Sequence, residues 1–413
     1  MNEQKMNYLD LHKTLKEFYT QEPGVFINSE LGITLTNNFF TSDVKRAFPP
    51  GDEYVDMNPL MKALMKYFLH RNEYSDKYLL KMLTVPDKAI QENNRFTYSI
   101  LSPSGTVSNE AIVLLHGLNE RGWEKYLPWA YYILKNTGKS VILFPNAFHM
   151  NRAPECWSNF RLMKEISSER KNLLPGVILS SPVNAAISTR LQFVPQRFVY
   201  SGIQTINDIT TLAELAKEGS IQGLPKNTSL DLFGYSIGAF VAEIIMMSNP
   251  LGLFNTSRCF LFCGGSTLDK MSPVNKFILD SEATNQLMDF YVHRLDQNIT
   301  TDERLSSLFK DENEEAFLFK AMLNNEENKT VRERYLGKIS DRLYGVALAK
   351  DDVMPGAAIQ QTLNHSRKKI RFDEIDFEYG YTHENPFPTL TGISDKIDRA
   401  FESVFSRAVS FLS

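Results

Sequence analysis

The sequence predicts an α/β protein, a mainly parallel sheet with helices on both faces, and three observations predict it. Short runs such as Ala111–Leu115, Ser140–Phe144 and Cys259–Cys263 are almost wholly apolar, without the polar alternation of a half-exposed strand. Helical patterns stand between them, notably Trp123–Leu134 and Ile203–Lys217. At Leu230–Met247 a strand-like run breaks at Gly234-Tyr235-Ser236-Ile237-Gly238 and continues as a helical pattern of small and aliphatic residues. Strand, sharp turn and helix, with a serine at the tip of the turn, is the third observation.

Taken in order, residues 1–94 read as a mainly helical, charged extension. Asn58–Leu69 carries apolar residues at helical spacing, Tyr78–Met82 continues such a layer, and Phe48-Pro49-Pro50-Gly51 is a loop. His12 and His70 stand alone and read as surface or packing residues. Alternation begins at Phe96–Leu101, a strand, followed by the buried strand Ala111–Leu115, which ends at His116-Gly117. Trp123–Leu134 is a helix and Ser140–Phe144 the next strand. From Pro145 to about Tyr200 prolines and glycines leave little periodicity, so about 146–200 is expected to be a loop insertion. Ile203–Lys217, amphipathic, leads into the serine-bearing strand, and Cys259–Cys263 follows. Residues 267–342 are charged and helical in character. Tyr344–Ala349 and Ile375–Tyr379 are the last expected strands, and Ile393–Leu412 closes the chain as a helix. The core is thus expected at 95–266 and 343–413.

The whole chain sets limits on function. Its 413 residues suffice for one large domain with insertions or for two domains, and 43% hydrophobic residues supply a sizeable core. A formal net charge of −4 with dispersed basic residues gives no nucleic-acid footprint. Cys259 and Cys263, on one extended run, lie about 13 Å apart, beyond disulfide reach. They and Cys156 read as core thiols of a reducing compartment. No signal core and no membrane span is visible, so the expected location is cytoplasmic. Oligomeric state is open. No zinc-helix, Cys/His cluster, G-x-G-x-x-G or Walker-type loop occurs, so neither metal nor cofactor is expected.

The chemistry gathers around Ser236. The turn G-x-S-x-G is so tight that side chains two before and two after the serine would collide with backbone, which is why both are glycine. A serine hydroxyl needs a base to take its proton, and the base works best when a carboxylate fixes its tautomer. After Ser236 the remaining histidines are His293, His365 and His383. His293 lies in the helical insertion and His365 in a helix. His383 follows the final strand in a loop held by Gly380, Pro386 and Pro388, which makes it the base. For the acid, Asp351 is preferred in Lys350-Asp351-Asp352-Val353-Met354-Pro355, with Asp352 as the alternative and Asp269 a third candidate. The neighbour not used would cap the following helix. Oxyanion donors are expected from the N–H groups of Ile237, at a helix N-terminus, and Leu118, beside Gly117. His116 precedes the serine and reads as a structural residue.

Together, His116-Gly117, the elbow Gly234–Gly238, Asp351 four before Pro355 and His383 after the last strand resemble the α/β-hydrolase superfamily over residues 95–413. The resemblance implies an eight-stranded, mostly parallel sheet, a covalent acyl-enzyme mechanism, and a helical lid or cap at 267–342. Pro145–Pro154 (PNAFHMNRAP) is similar to a proline-histidine-arginine loop of some superfamily members, with Asn146 and Ala147 inserted. On that likeness His149 and Arg152 face the pocket and meet a substrate carboxylate or phosphate. The expected function is hydrolysis of a carboxylic ester or thioester, a small-molecule acyl substrate. The alternatives are a peptidase or amidase using the same triad and a non-catalytic binding protein that kept the elbow.

Overall fold

A computed structural model describes residues 6–47, 63, 85–309, 313–364 and 369–413. Apart from Ala63, the helices expected at 58–69 and 78–82 lie outside these residues, as do the loop at 48–51, His70 and His365. Among them runs one sheet of nine strands: β1 Gly24–Asn28, β2 Ile33–Thr41, β3 Arg95–Pro103, β4 Glu110–Leu115, β5 Ser140–Leu143, β6 Ser229–Tyr235, β7 Cys259–Phe262, β8 Leu343–Leu348 and β9 Arg371–Ile375. Their order across the sheet is β1-β2-β3-β5-β4-β6-β7-β8-β9. β5, β4 and β6 to β9 are parallel, and β1, β2 and β3 add an antiparallel edge. The crossover between β3, β5 and β4, followed by stepwise growth through β9, is the topology of an α/β-hydrolase sheet.

Each buried strand feeds two cores. In β4, Ala111, Val113 and Leu115 join one apolar cluster while Ile112 and Leu114 join the other. β6 divides likewise, Leu230 and Leu232 against Phe233 and Tyr235. This two-sided burial is the reason the strands read as continuous apolar runs. One face is covered by the helices Tyr8–Phe18, Leu127–Thr137 and Ser394–Leu412, tied together where the Tyr8 N–H donates to Asp398 at 2.7 Å. The other is covered by Gln196–Glu218, by Ile237–Ser248 and by the helices between 281 and 338.

Three expectations change. The first ninety residues are not mainly helical where described: residues 24–41 form a β-hairpin whose second strand pairs with β3 along its whole length, giving nine strands rather than eight. The stretch 146–200 is not a loop; it holds the helices Phe160–Leu173 and Ala185–Phe193 and the first turn of Gln196–Glu218. Their apolar stripes are disguised by charges buried in pairs. Arg170 donates to both oxygens of Asp280 at 2.8 Å, and Arg190 pairs with Asp87. Ala185–Phe193 is buried on nearly every side, so it has no amphipathic period to read. The last strand is Arg371–Ile375, four residues earlier than expected. Asp376 leaves the ladder for Lys350 and the Tyr381 hydroxyl, and Phe377 turns into an aromatic cluster with Phe387.

Candidate active site

β6 ends at Tyr235, and Ser236 joins it to the helix Ile237–Ser248. Ser236 holds φ 57°, ψ −122°, a conformation that costs a non-glycine residue about 1–3 kcal/mol and persists only where the surroundings over-determine it. Here the Ser236 N–H donates to the Phe262 carbonyl at 3.1 Å, and the Ser236 carbonyl accepts from the Ala239 N–H at 3.0 Å. The flanking glycines are sterically obligatory. A Cβ on Gly234 would stand 2.4 Å from Ala239 Cα, and one on Gly238 would stand 2.3 Å from the Leu115 carbonyl oxygen.

The turn brings Ser236 Oγ to 2.7 Å from His383 Nε2, and His383 Nδ1 lies 2.7 Å from Asp351 Oδ2. Because a carboxylate only accepts, Nδ1 carries the proton and Nε2 presents its lone pair to the serine hydroxyl. Asp351 is itself fixed: its other oxygen accepts from the N–H groups of Val353 and Met354 at 3.0 and 2.8 Å. All three side chains are buried. Asp352 points outward and is exposed, while Asp269 is held by the Thr267 hydroxyl and the Asn325 N–H. Of the three candidate acids the structure brings only Asp351 to His383.

The His383 loop is anchored by groups that the sequence reading did not single out. The Tyr235 hydroxyl donates to the His383 carbonyl, and its ring stacks on the imidazole at 5.5 Å with planes 17° apart. Lys125 lies over the Tyr235 ring, pairs with Glu120 and donates to the Glu384 carbonyl at 3.0 Å. Tyr235 sits inside the elbow motif, so a signal was there. Lys125 and Glu120 come from another part of the chain and carried none.

Leu118 and Ile237 meet at one pocket, which also takes in Asn146 and His149. Ile237 is the first residue of its helix, so its N–H lies ahead of the intrahelical ladder. The Gly117 N–H is already taken by the Tyr126 hydroxyl at 3.0 Å. His116 is structural, as expected. Its Nδ1 donates to the Gly117 carbonyl at 2.8 Å and its Nε2 accepts from the Asn146 N–H at 3.0 Å; burial pushes its pKa well below the ordinary value.

His149 and Arg152 part company. His149 walls the pocket. Arg152 does not reach it: fully buried, it donates to Asp208 at 2.7 Å and to the Pro145 carbonyl at 3.0 Å, and it stacks on Phe96. An expectation that Arg152 meets substrate is corrected by this geometry, because its donors are spent on the fold. Burial lowers the Arg152 pKa and raises that of Asp208, each drawn back by the other's charge. Cys156, Cys259 and Cys263 are free thiols, and burial first, then the nearby Asp351 charge, pushes Cys263 well above its usual range. Among the described residues no three His, Cys, Asp or Glu side chains converge as a metal site requires, and no helix is long and apolar enough to cross a membrane.

Sheet order and elbow define the class: this is a protein of the α/β-hydrolase fold. Within that class the chain belongs to a family of unknown function, DUF6051, whose family model matches residues 6–413. No curated protein matches it. Among solved structures it is similar to carboxyl esterase 2 from the mycorrhizal fungus Tuber melanosporum, at 12% identity and a TM-score of 0.43, covering 86% of this chain and 99% of that one. It is also similar to an esterase from Pyrobaculum calidifontis (12%, TM-score 0.40, 89% and 99% covered). A third is a cold-adapted esterase from an Arctic intertidal metagenomic library (9%, TM-score 0.38, 92% and 99% covered). At such identities none of them assigns an activity to this chain.

Proposed function

We propose that this protein is a serine hydrolase that cleaves a carboxylic ester or thioester through an acyl-enzyme. The observation that carries the reading is the unbroken chain Ser236–His383–Asp351, with 2.7 Å at each link and a strained serine at its head. Ser236 Oγ attacks the carbonyl carbon as its proton passes to His383 Nε2, and Asp351 pairs with the imidazolium through Nδ1. Negative charge gathers on the former carbonyl oxygen, where the N–H groups of Leu118 and Ile237 receive it. Each such donor typically contributes about 10²–10³ in rate. Collapse expels the alkoxide or thiolate, which takes its proton from His383. Water, deprotonated by the same nitrogen, then releases the acid and restores the serine.

In this reading residues 95–266 and 343–413 are the catalytic core and 267–342 is its lid. Support for the lid is its seat: Phe319, from the helix Glu314–Ala321, lines the pocket beside Phe240 of the elbow helix, their rings 5.3 Å apart. The test is labelling with a fluorophosphonate probe followed by mass spectrometry. The expected adduct is on Ser236 and is lost in His383→Ala. An adduct elsewhere, or equal ester turnover by Ser236→Ala, would overturn the assignment.

A further inference from the structure

The pocket that Leu118 and Ile237 share is narrow, about 30 Å3, with room for one small group of a substrate rather than for a whole ligand. Most of its wall is apolar, with Phe198, Phe240 and Phe319 dominant, and no charged side chain lines it. Its polar wall is unusual in sign. His149 Nδ1 lies 2.8 Å from the Ala147 carbonyl, which can only accept, so the ring proton sits on Nδ1 and Nε2 is a bare acceptor. Burial pushes the imidazole pKa down to about 4, so the ring stays neutral at physiological pH. Asn146 donates its amide to the His116 carbonyl at 3.0 Å, which fixes the amide orientation and leaves Oδ1 as an acceptor.

Both acceptors, His149 Nε2 and Asn146 Oδ1, are buried without a hydrogen-bond partner among the described residues, on side chains only 7% and 5% exposed. The two hydroxyls of the wall do not supply what is missing. Ser201 donates to the Phe198 carbonyl at 3.0 Å and Thr205 to the Ser201 carbonyl at 2.9 Å. Thr205 Oγ1 also accepts from the Ala147 N–H at 3.0 Å. The Ser201, Thr205 and His149 protons and one of the two Asn146 amide protons are thus bonded to protein, and the lone pairs of His149 Nε2 and Asn146 Oδ1 remain without a partner.

We propose that this pocket recognises an uncharged, apolar substrate group bearing its own N–H or O–H donor, with His149 Nε2 and Asn146 Oδ1 as the atoms that read it. An unsatisfied buried acceptor is costly, and a ligand donor relieves that cost on binding. A carboxylate or phosphate would set negative charge against lone pairs, and an ammonium would find no counter-charge in the wall. The proposal rests on the serine-hydrolase reading only in taking this pocket to hold part of the substrate. It replaces the anion role that the loop resemblance suggested for His149.

The test uses the full chain carrying Ser236→Ala, so that nothing turns over, with 15N-labelled histidine. Four probes are titrated: N-methylhexanamide, N,N-dimethylhexanamide, hexanoate and hexylammonium. The expected result is that the secondary amide binds at least about tenfold more tightly than the other three. Binding should also move the His149 Nε2 resonance, assigned by its loss in His149→Phe, toward that of a hydrogen-bonded nitrogen. In His149→Phe the preference for the secondary amide should collapse. Equal binding of both amides, preferred hexanoate or hexylammonium, or no binding at all would overturn the proposal. So would an Nε2 already hydrogen-bonded in the free protein, for instance by Arg121, whose charge acts on His149. A wild type that fails to take the fluorophosphonate while the amide preference holds would remove the hydrolase reading and leave the binding inference standing.

Discussion

Gly238→Ala tests the geometric core of the reading. A Cβ there would lie 2.3 Å from the Leu115 carbonyl oxygen, 2.6 Å from Leu115 C and 2.7 Å from the His116 oxygen. The closest contact is about 1.1 Å short of the 3.4 Å at which ordinary contact begins, and every atom in the way is backbone. No rotamer can relieve it, so the end of β4 must part from the elbow helix. Overpacking of this kind costs about 1–3 kcal/mol of stability. The rate should suffer more, because the same displacement carries 116–118, and with it the Leu118 N–H, away from Ile237. A misplacement of about 1 Å in a catalytic constellation costs on the order of 10²-fold. The assay is hydrolysis of p-nitrophenyl butanoate, normalised to fluorophosphonate-titrated sites, with urea unfolding on the same samples. Gly337→Ala is the control. It lies in the helix Lys329–Lys338, a Cβ there meets nothing within 4 Å, and alanine should leave stability equal or raise it by up to about 1 kcal/mol. If Gly238→Ala kept kcat/KM within about threefold of wild type at unchanged stability, the close approach of elbow and β4 would have no part in catalysis.

Three further predictions follow from the same structure. Asp351→Asn should lower kcat by about 10⁴-fold, the loss expected when the imidazole is held in the wrong tautomer, while Asp352→Asn leaves steady-state kinetics unchanged; comparable losses in the two variants would undo the choice of acid. Arg152→Met strands the buried Asp208 and should destabilise the fold by about 3–5 kcal/mol in urea unfolding with KM unchanged; a raised KM in folded protein would return Arg152 to the substrate. Glu243, buried on the elbow helix with neither oxygen bonded among the described residues, is pushed up to about 8 by burial, with the Arg332 charge pulling it back. Between its ordinary 4.5 and about 8 the folded state binds the proton that the unfolded chain has released, so stability falls as pH rises, by up to about 1.4 kcal/mol per unit. Glu243→Gln should flatten that slope in urea midpoints taken from pH 5 to 8, and an unchanged slope would refute the assignment.

How much of this was legible depended on whether a residue's constraint is local. Gly234 is forced by backbone within five residues and Gly238 by the distant end of β4, yet both stand at fixed spacing from Ser236, and Ser236, Asp351 and His383 follow strand ends in chain order, so the constellation could be read. Asp351 and Asp352 were harder. Both precede the same proline, and what separates them is the pair of N–H groups of Val353 and Met354 that turn one carboxylate inward. The hairpin at 24–41 did carry a signal, the alternation of buried Ile33 and Leu35 with Thr34, but it lay within a charged segment that otherwise reads as helix. Arg170 and Arg190 misled for a different reason: a buried arginine is indistinguishable from a surface one until its distant carboxylate is known, and Asp280 and Asp87 lie about a hundred residues away. The pocket shows the same limit in its sharpest form. In the sequence His149 and Arg152 are two side chains able to donate, which suits an anion, and nothing singles out Ser201 or Thr205. Only when Ser201 and Thr205 are seen to give their protons to carbonyls one turn back, His149 its ring proton to Ala147 and Asn146 one amide proton to His116, do His149 Nε2 and Asn146 Oδ1 stand out as acceptors without a partner. The attack we propose is thus legible from motif spacing and chain order, whereas the recognition we propose depends on where protons are already committed, which only the fold reveals.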